Sequence, residues 1–233
     1  QLPRYYLGLS CAIGGTGFMV ATDVLKKIGW DATSLTEDLE FTIKLVLTGM
    51  KVSWSHQAVV YDEKPLRMSQ SWRQRKRWMQ GHCDCAVRYF GKMIRKAVKD
   101  RDIVVLDCTF NLIRPVMIVF NYMVAFISVM RFIYIGFNHY MSTIGVQPLL
   151  DWLGSVKWSN VLLFLFFTYM NIIFIIVEKK FSWKVLKYYI TSPFYALTWV
   201  PIIILGFFER NNKVWVHTVH TRALEIEALE KTG

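Results

Sequence analysis

The sequence predicts an α/β segment, then an amphipathic helix lying in a membrane surface, then an α-helical transmembrane region. Three observations carry that expectation. Helix and strand signals alternate over residues 1–65, a basic one-sided helical pattern occupies 66–102, and long uncharged apolar stretches dominate 103–210. Residues 211–233 form a polar tail.

Composition supports the membrane assignment. Of 233 residues 54 % are hydrophobic, with nine Trp, sixteen Phe and eleven Tyr, above the usual apolar share of a soluble domain. The formal charge of +11 suits an anionic membrane face, nucleic acid or phosphate-bearing substrates. Position separates these three. The basic residues cluster on the surface helix and beside the apolar stretches, where lipid accounts for them, so no nucleic-acid partner is expected. The four cysteines are spaced unlike a disulfide framework and read as reduced thiols. His82-Cys83-Asp84-Cys85 resembles part of a metal site, but no second ligand pair follows, so no metal ligands are assigned. Gln1-Leu2-Pro3 lacks a basic region followed by an apolar run, and the chain reads as one entered midway.

The elements of the first segment follow from local signals. Gly14-Gly15-Thr16-Gly17 makes a flexible loop. A short helix over Asp23–Ile28 ends at Gly29. Ser34 and Glu37 have the spacing of a capping box, after which Leu35, Leu39, Ile43 and Val46 recur at helical intervals until Gly49. Val52, Trp54 and Val59-Val60-Tyr61 read as short strands.

In the basic helix, Met68, Trp72, Met79, Cys83, Ala86, Phe90, Ile94 and Ala97 form one apolar stripe, with possible breaks at Gly81 and Gly91. Arg73, Arg75, Arg77, Lys92, Arg95, Lys96 and Lys99 surround it. A partly buried helix of a soluble protein shares this pattern, but the apolar stretches that follow favour a membrane surface. Those stretches suggest spans over about 112–137, 160–178 and 185–208. Lys179, Lys180, Lys184, Lys187 and the basic tail place the later loop and the tail inside, with residues 1–110 cytoplasmic. Pro193 and Pro201 permit the third segment a broken or re-entrant path, and a simple third crossing remains the alternative. Arg131 and Asn171 are costly within spans. Arg131 either faces a cavity, where Tyr195 and Trp199 join it, or snorkels to the outer interface.

Two patterns carry chemistry. Gln74, Arg77 and Trp78 share one helix face at i, i+3, i+4, nearly opposite the apolar stripe. A guanidinium suits a diphosphate, because its fork donates paired hydrogen bonds, and an indole offers a flat surface to a sugar ring. Thr36-Glu37-Asp38 opens a helix, where carboxylates are favoured by the helix dipole alone. Functionally, a carboxylate there can take a proton from a sugar hydroxyl.

Taken in order, the Gly-rich loop, Thr36-Glu37-Asp38, the paired strands, Gln74-x-x-Arg77-Trp78 and the membrane spans resemble the processive family-2 glycosyltransferases. These include the cellulose, chitin, hyaluronan and poly-N-acetylglucosamine synthases. The specific motifs run from about Cys11 to Gly81. The resemblance implies that residues 1–65 are the C-terminal, acceptor-side half of a GT-A-type glycosyltransferase domain. It implies that Asp38 is the general base for the acceptor hydroxyl, with Thr36 and Glu37 completing its motif. Gln74, Arg77 and Trp78 would touch the donor diphosphate and the polymer end, and Gly15, Thr16 and Gly17 the acceptor sugar. That loop lacks a Cys, unlike the cellulose synthases, which counts against cellulose. Trp215, His217, Thr218 and Arg222 loosely resemble the family's gating loop. The implied partners are a UDP-sugar, with UDP-GlcNAc preferred over UDP-Glc, a growing β-linked polysaccharide and the plasma-membrane bilayer. The family's nucleotide-binding half would lie before residue 1 and would hold the divalent cation, Mg or Mn. Asp100-Arg101-Asp102 has the letters of its metal motif but the wrong place, and reads as a solvated turn. A non-enzymatic channel or docking subunit of a polysaccharide synthesis complex is the alternative.

Overall fold

The computed structural model describes residues 1–60, 62–142, 172–177 and 181–214. Every regular element among them is a helix: α1 Leu2–Tyr6, α2 Thr22–Ile28, α3 Glu37–Leu47, α4 Met68–Asp100, α5 Ile103–Ser142, α6 Ile172–Val177, α7 Trp183–Ile190, α8 Ser192–Leu197 and α9 Trp199–Phe208. The expected α/β segment is therefore corrected. No strand forms among the described residues. The segments expected as strands find no ladder. Cys11 N–H donates to Val52 O at 2.9 Å, but the next place is taken by the Ser10 hydroxyl, which accepts from Val52 N–H at 3.0 Å. Trp54, Val59 and Val60 stay exposed, so no pleated face is buried to stabilise an extended pair. Tyr61 lies outside the described residues.

The chain divides into two compact units, Gln1–Met117 with Pro201 onward, and Ile118–Val200. In the first, α3 is buried on two sides. Phe41 and Leu45 pack with Ile13, Val20, Val24, Ile28 and Val52, while Ile43 and Val46 meet Cys85, Met93 and Ala97 of α4 and Val105 and Leu112 of α5. The helix begins later than its capping signal suggests. Thr36 is the N-cap, and Ser34 forms a turn before it, accepting from Thr36 N–H at 3.3 Å. Gly29 and Gly49, at φ +79° and +82°, end α2 and α3 as the sequence suggests.

Helix α4 is continuous through Gly81 and Gly91. Its apolar stripe does not lie bare. Cys83 and Ala97 are buried, Ala86 packs on the core, and Met79 backs against α9, leaving Met68 and Phe90 exposed. Arg75, expected among the peripheral charges, is 2 % exposed and donates Nε–H to Ser71 O at 3.3 Å. The end of α9 and the residues just after it cover this helix. A Cβ at Gly206 would lie 2.5 Å from Met79 Cβ, so only glycine permits that approach. Gln80 Nε2 then donates to Glu209 O at 3.2 Å, Lys76 pairs with Glu209 at 2.6 Å, and Lys213 with Asp84 at 2.6 Å.

The metal-like tetrad is spread by the helix. His82 Nε2 lies 3.0 Å from Leu112 O, beside the Asn111 carbonyl that Pro115, lacking an N–H, leaves without its usual helical donor. Burial lowers the His82 pKa. Burial likewise pushes the Cys83 and Cys85 thiols up to about 11. At pH 8 about one in a thousand would be ionised, so iodoacetamide is expected to leave both unlabelled in the folded chain and to label both after denaturation. Labelling of native Cys85 at the rate of an exposed thiol would contradict this packing. Asp100 pairs with Lys96, and Asp102 Oδ1 accepts from Val104 N–H, so the D-x-D letters form a turn and a helix start.

Among the described residues one helical stretch, Ile103–Asn138, is long and apolar enough to cross a membrane. Trp183–Ile190 with Ser192–Phe208 makes a second if the pair, bent by 44°, counts as one span. The break stands before Pro193, where the sequence permits one. Within the second unit, a cavity of about 550 Å³ is lined by Tyr122, Phe126, Phe194 and Leu197 among others. Arg131 and Tyr195 are exposed and are not among its lining residues, nor is Trp199. Asn171, most of the 160–178 stretch, and Lys179 and Lys180 lie outside the described residues.

Candidate functional site

The site forms where the start of α3 meets the second and third turns of α4. Two devices bring the glycine loop there. Thr42 Oγ accepts from Ile13 N–H at 3.0 Å and donates to Asp38 O at 2.8 Å, tying the residue before the loop to the first turn of α3. On the loop's far side Phe18 stacks on Trp30 at 6.2 Å, and Trp30 packs on buried Phe41 at 4.9 Å. As a result a Cβ at Gly15 would lie 3.6 Å from Asp38 Oδ2. Gly17, at φ +68°, is held against Val60, where a Cβ would lie 2.3 Å from Cγ2. Thr16 is exposed.

Asp38 is half-buried, and its Oδ1 accepts from Leu39 N–H at 2.7 Å. Burial raises its pKa above the usual 3.8, with the Leu39 N–H opposing, Glu37 adding, and the Arg77 charge opposing. Arg77 therefore lies within electrostatic reach of the carboxylate. Glu37 points its charge into solvent. Gln74 and Trp78 are half-buried on the same side of α4 as Arg77. Thr36 serves packing: Gly81 of α4 sits so close that a Cβ there would meet Thr36 Oγ1 at 2.5 Å. Ser34 Oγ donates to Gly81 O at 3.0 Å across the same contact.

Gly15 and Asp38 are thus brought together, with the Arg77 charge within electrostatic reach, and Gln74 and Trp78 share the helix face of Arg77. Trp215, His217, Thr218 and Arg222 lie outside the described residues. Among the described residues no group of three or more His, Cys, Asp or Glu is gathered as a metal site would need.

A model described as glycosyl transferase family group 2 matches residues 4–208. The chain belongs to that family. This family-2 chain is 31 % identical over 90 residues to the probable glycosyltransferase YdaM of Bacillus subtilis (strain 168), covering 37 % of this chain and 21 % of that protein. It is 32 % identical over 78 residues to the uncharacterized glycosyltransferase YaiP of Escherichia coli (strain K12), covering 34 % and 20 %. The chain spans about a fifth of the length of these curated relatives. No solved structure matches it.

Sequence reasoning missed the most heavily bonded acid of this family-2 site. Glu40 is 1 % exposed. Its carboxylate accepts from Thr33 N–H, Ser34 N–H, both terminal nitrogens of Arg88 and the Tyr89 hydroxyl, at 2.7–3.0 Å. Burial alone would raise its pKa, but the Arg88, Tyr89 and backbone hydrogen bonds outweigh that and hold it down at about 2. The available signal was a carboxylate on the apolar face of α3, where only a paired one is tolerated.

Proposed function

We propose that this chain is the acceptor-side and membrane part of a membrane-bound, inverting, processive family-2 glycosyltransferase. The observation that carries the reading is the glycine loop seated against the Asp38 carboxylate, Gly15 within 3.6 Å by its would-be Cβ, with the Arg77 charge of α4 within electrostatic reach. Asp38 takes the proton of the acceptor hydroxyl as its oxygen attacks the anomeric carbon of a UDP-sugar, and the bond to the diphosphate breaks. Arg77 donates to the departing diphosphate, with Gln74 beside it, while Trp78 stacks on the polymer end. A single displacement inverts an α-linked donor, so the product is β-linked. UDP-GlcNAc is preferred over UDP-Glc. Residues 1–110 lie on the cytoplasmic face of a plasma membrane that the later helices cross more than once. The seat for nucleotide and cation belongs to a nucleotide-binding half outside these residues, and no step here runs through it.

A second reading is favoured by the all-helical character of the described residues. In it the chain is a non-enzymatic channel or docking subunit of a polysaccharide synthesis complex. Vesicles containing either the full-length protein or this 233-residue chain, given radiolabelled UDP-GlcNAc and UDP-Glc, separate the two. The expected outcome is polymer from the full-length protein and none from the chain alone. Turnover by the chain alone would refute the division of labour. Absence of turnover from the full-length protein would favour the docking subunit.

A further inference from the structure

Glu40 takes no part in the reaction proposed above, yet it is buried and charged, which is costly unless something requires direction as well as contact. Its partners come from two elements. Thr33 and Ser34 belong to the turn that leads into Asp38, while Arg88 and Tyr89 belong to α4. Arg88 reinforces the link by donating to Thr33 Oγ at 3.1 Å and to Asp84 at 2.8 Å. Along α4, Arg77, Gly81, Asp84 and Arg88 follow at i, i+4, i+7 and i+11, within roughly 60° of one another around the helix. One face of α4 therefore carries Arg77 towards Asp38, Gly81 onto Thr36, and Arg88 into Glu40. The Arg88–Glu40 fork lies about 16 Å along the helix from Arg77, at a rise of about 1.5 Å per residue. A paired fork fixes both the slide and the rotation of a helix, whereas apolar packing tolerates small shifts of either.

We infer that Glu40, through its paired hydrogen bonds with Arg88, is a positioning residue that sets α4 against α3 and so fixes how far Arg77 stands from the Asp38 carboxylate. The inference rests on the reading of Asp38 as the base. The charged groups acting on Asp38 are Glu37 from its own helix and Arg77 from α4; the glycine loop contributes none.

The test uses the full-length protein in vesicles with radiolabelled UDP-GlcNAc and UDP-Glc. Glu40→Gln and Arg88→Lys break the fork. The double change Glu40→Met with Arg88→Met replaces it by an apolar pair and keeps the helices packed where a single change leaves a buried charge alone. The expected result is a fall in kcat of about ten-fold or more in all three. The acid limb of the pH–rate profile should move upward, because Asp38 loses the opposing Arg77 charge. A role in stability alone would lower the amount of active protein without moving that limb. Spin labels at Thr48→Cys and Arg73→Cys, both exposed positions outside the site, report the helix register without any activity. Their distance distribution should broaden or shift in the double variant. A double variant with wild-type kcat, acid limb and label distance would overturn the inference. Transfer that survives Asp38→Asn would remove the base reading instead, leaving the label distance to decide whether Glu40 sets the register.

Discussion

Asp38→Asn in the full-length protein is expected to lower sugar transfer by about 10²- to 10⁴-fold, the span that positioned general bases contribute. Asparagine has the same shape and keeps an oxygen to accept the Leu39 N–H, so the start of α3 is undisturbed. What it lacks is a lone pair basic enough to take the acceptor proton. Since burial penalises the carboxylate, the neutral amide should leave thermal stability unchanged or slightly raised. The same burial places the acid limb of the wild-type rate profile above 3.8. Initial rates with labelled donor, read beside thermal midpoints in detergent, check both. A variant that keeps half the wild-type rate would end the base assignment.

The second large effect is structural. Gly81→Ala would put a methyl group 2.5 Å from Thr36 Oγ1 and 2.6 Å from Thr36 N. A backbone nitrogen at the start of a helix has no rotamer by which to withdraw, so α4 must move off α3. Overpacking of this kind costs about 1–3 kcal/mol, against a helix-propensity gain near 1 kcal/mol. Gly81→Val should cost more, and both should lower transfer, because the displaced helix carries Arg77. Gly91, on the same helix, has nothing within 4 Å of its would-be Cβ. Gly91→Ala should therefore stabilise by up to about 1 kcal/mol. Denaturant midpoints of the three variants in detergent decide the matter. If Gly81→Ala proves as stable as Gly91→Ala, the close contact of α3 and α4 is wrong.

Much of the helical framework was legible in the chain. The α2 and α3 stops at Gly29 and Gly49 follow from the left-handed backbone that glycine alone adopts without strain. Pro115 shows why some features were harder to read. It falls inside α5, where His82 of α4 stands beside the Asn111 carbonyl that the missing N–H leaves open. The strand expectation failed for a related reason. Val59 and Val60 have β-branched side chains, but propensity makes a strand only where a neighbour completes the ladder and a face is buried. Arg75 was misjudged and Glu40 overlooked, since a helical wheel shows neither how deeply its helix is covered nor which residue of another helix pairs with a buried charge.

By itself the sequence determined where α2, α3 and α4 run, that an apolar stretch long enough to cross a membrane follows them, and that Gln74, Arg77 and Trp78 share a helix face. Those properties depend on neighbours one to four positions apart, and periodicity records them. Only the tertiary structure decided that Gly15 borders the Asp38 carboxylate, that Gly81 lies against Thr36, and that Glu40 is bound by Arg88. These contacts join residues tens of positions apart. They depend on how closely two helices approach, which is set by a glycine at residue 81 and by a buried fork, and no local pattern encodes either distance.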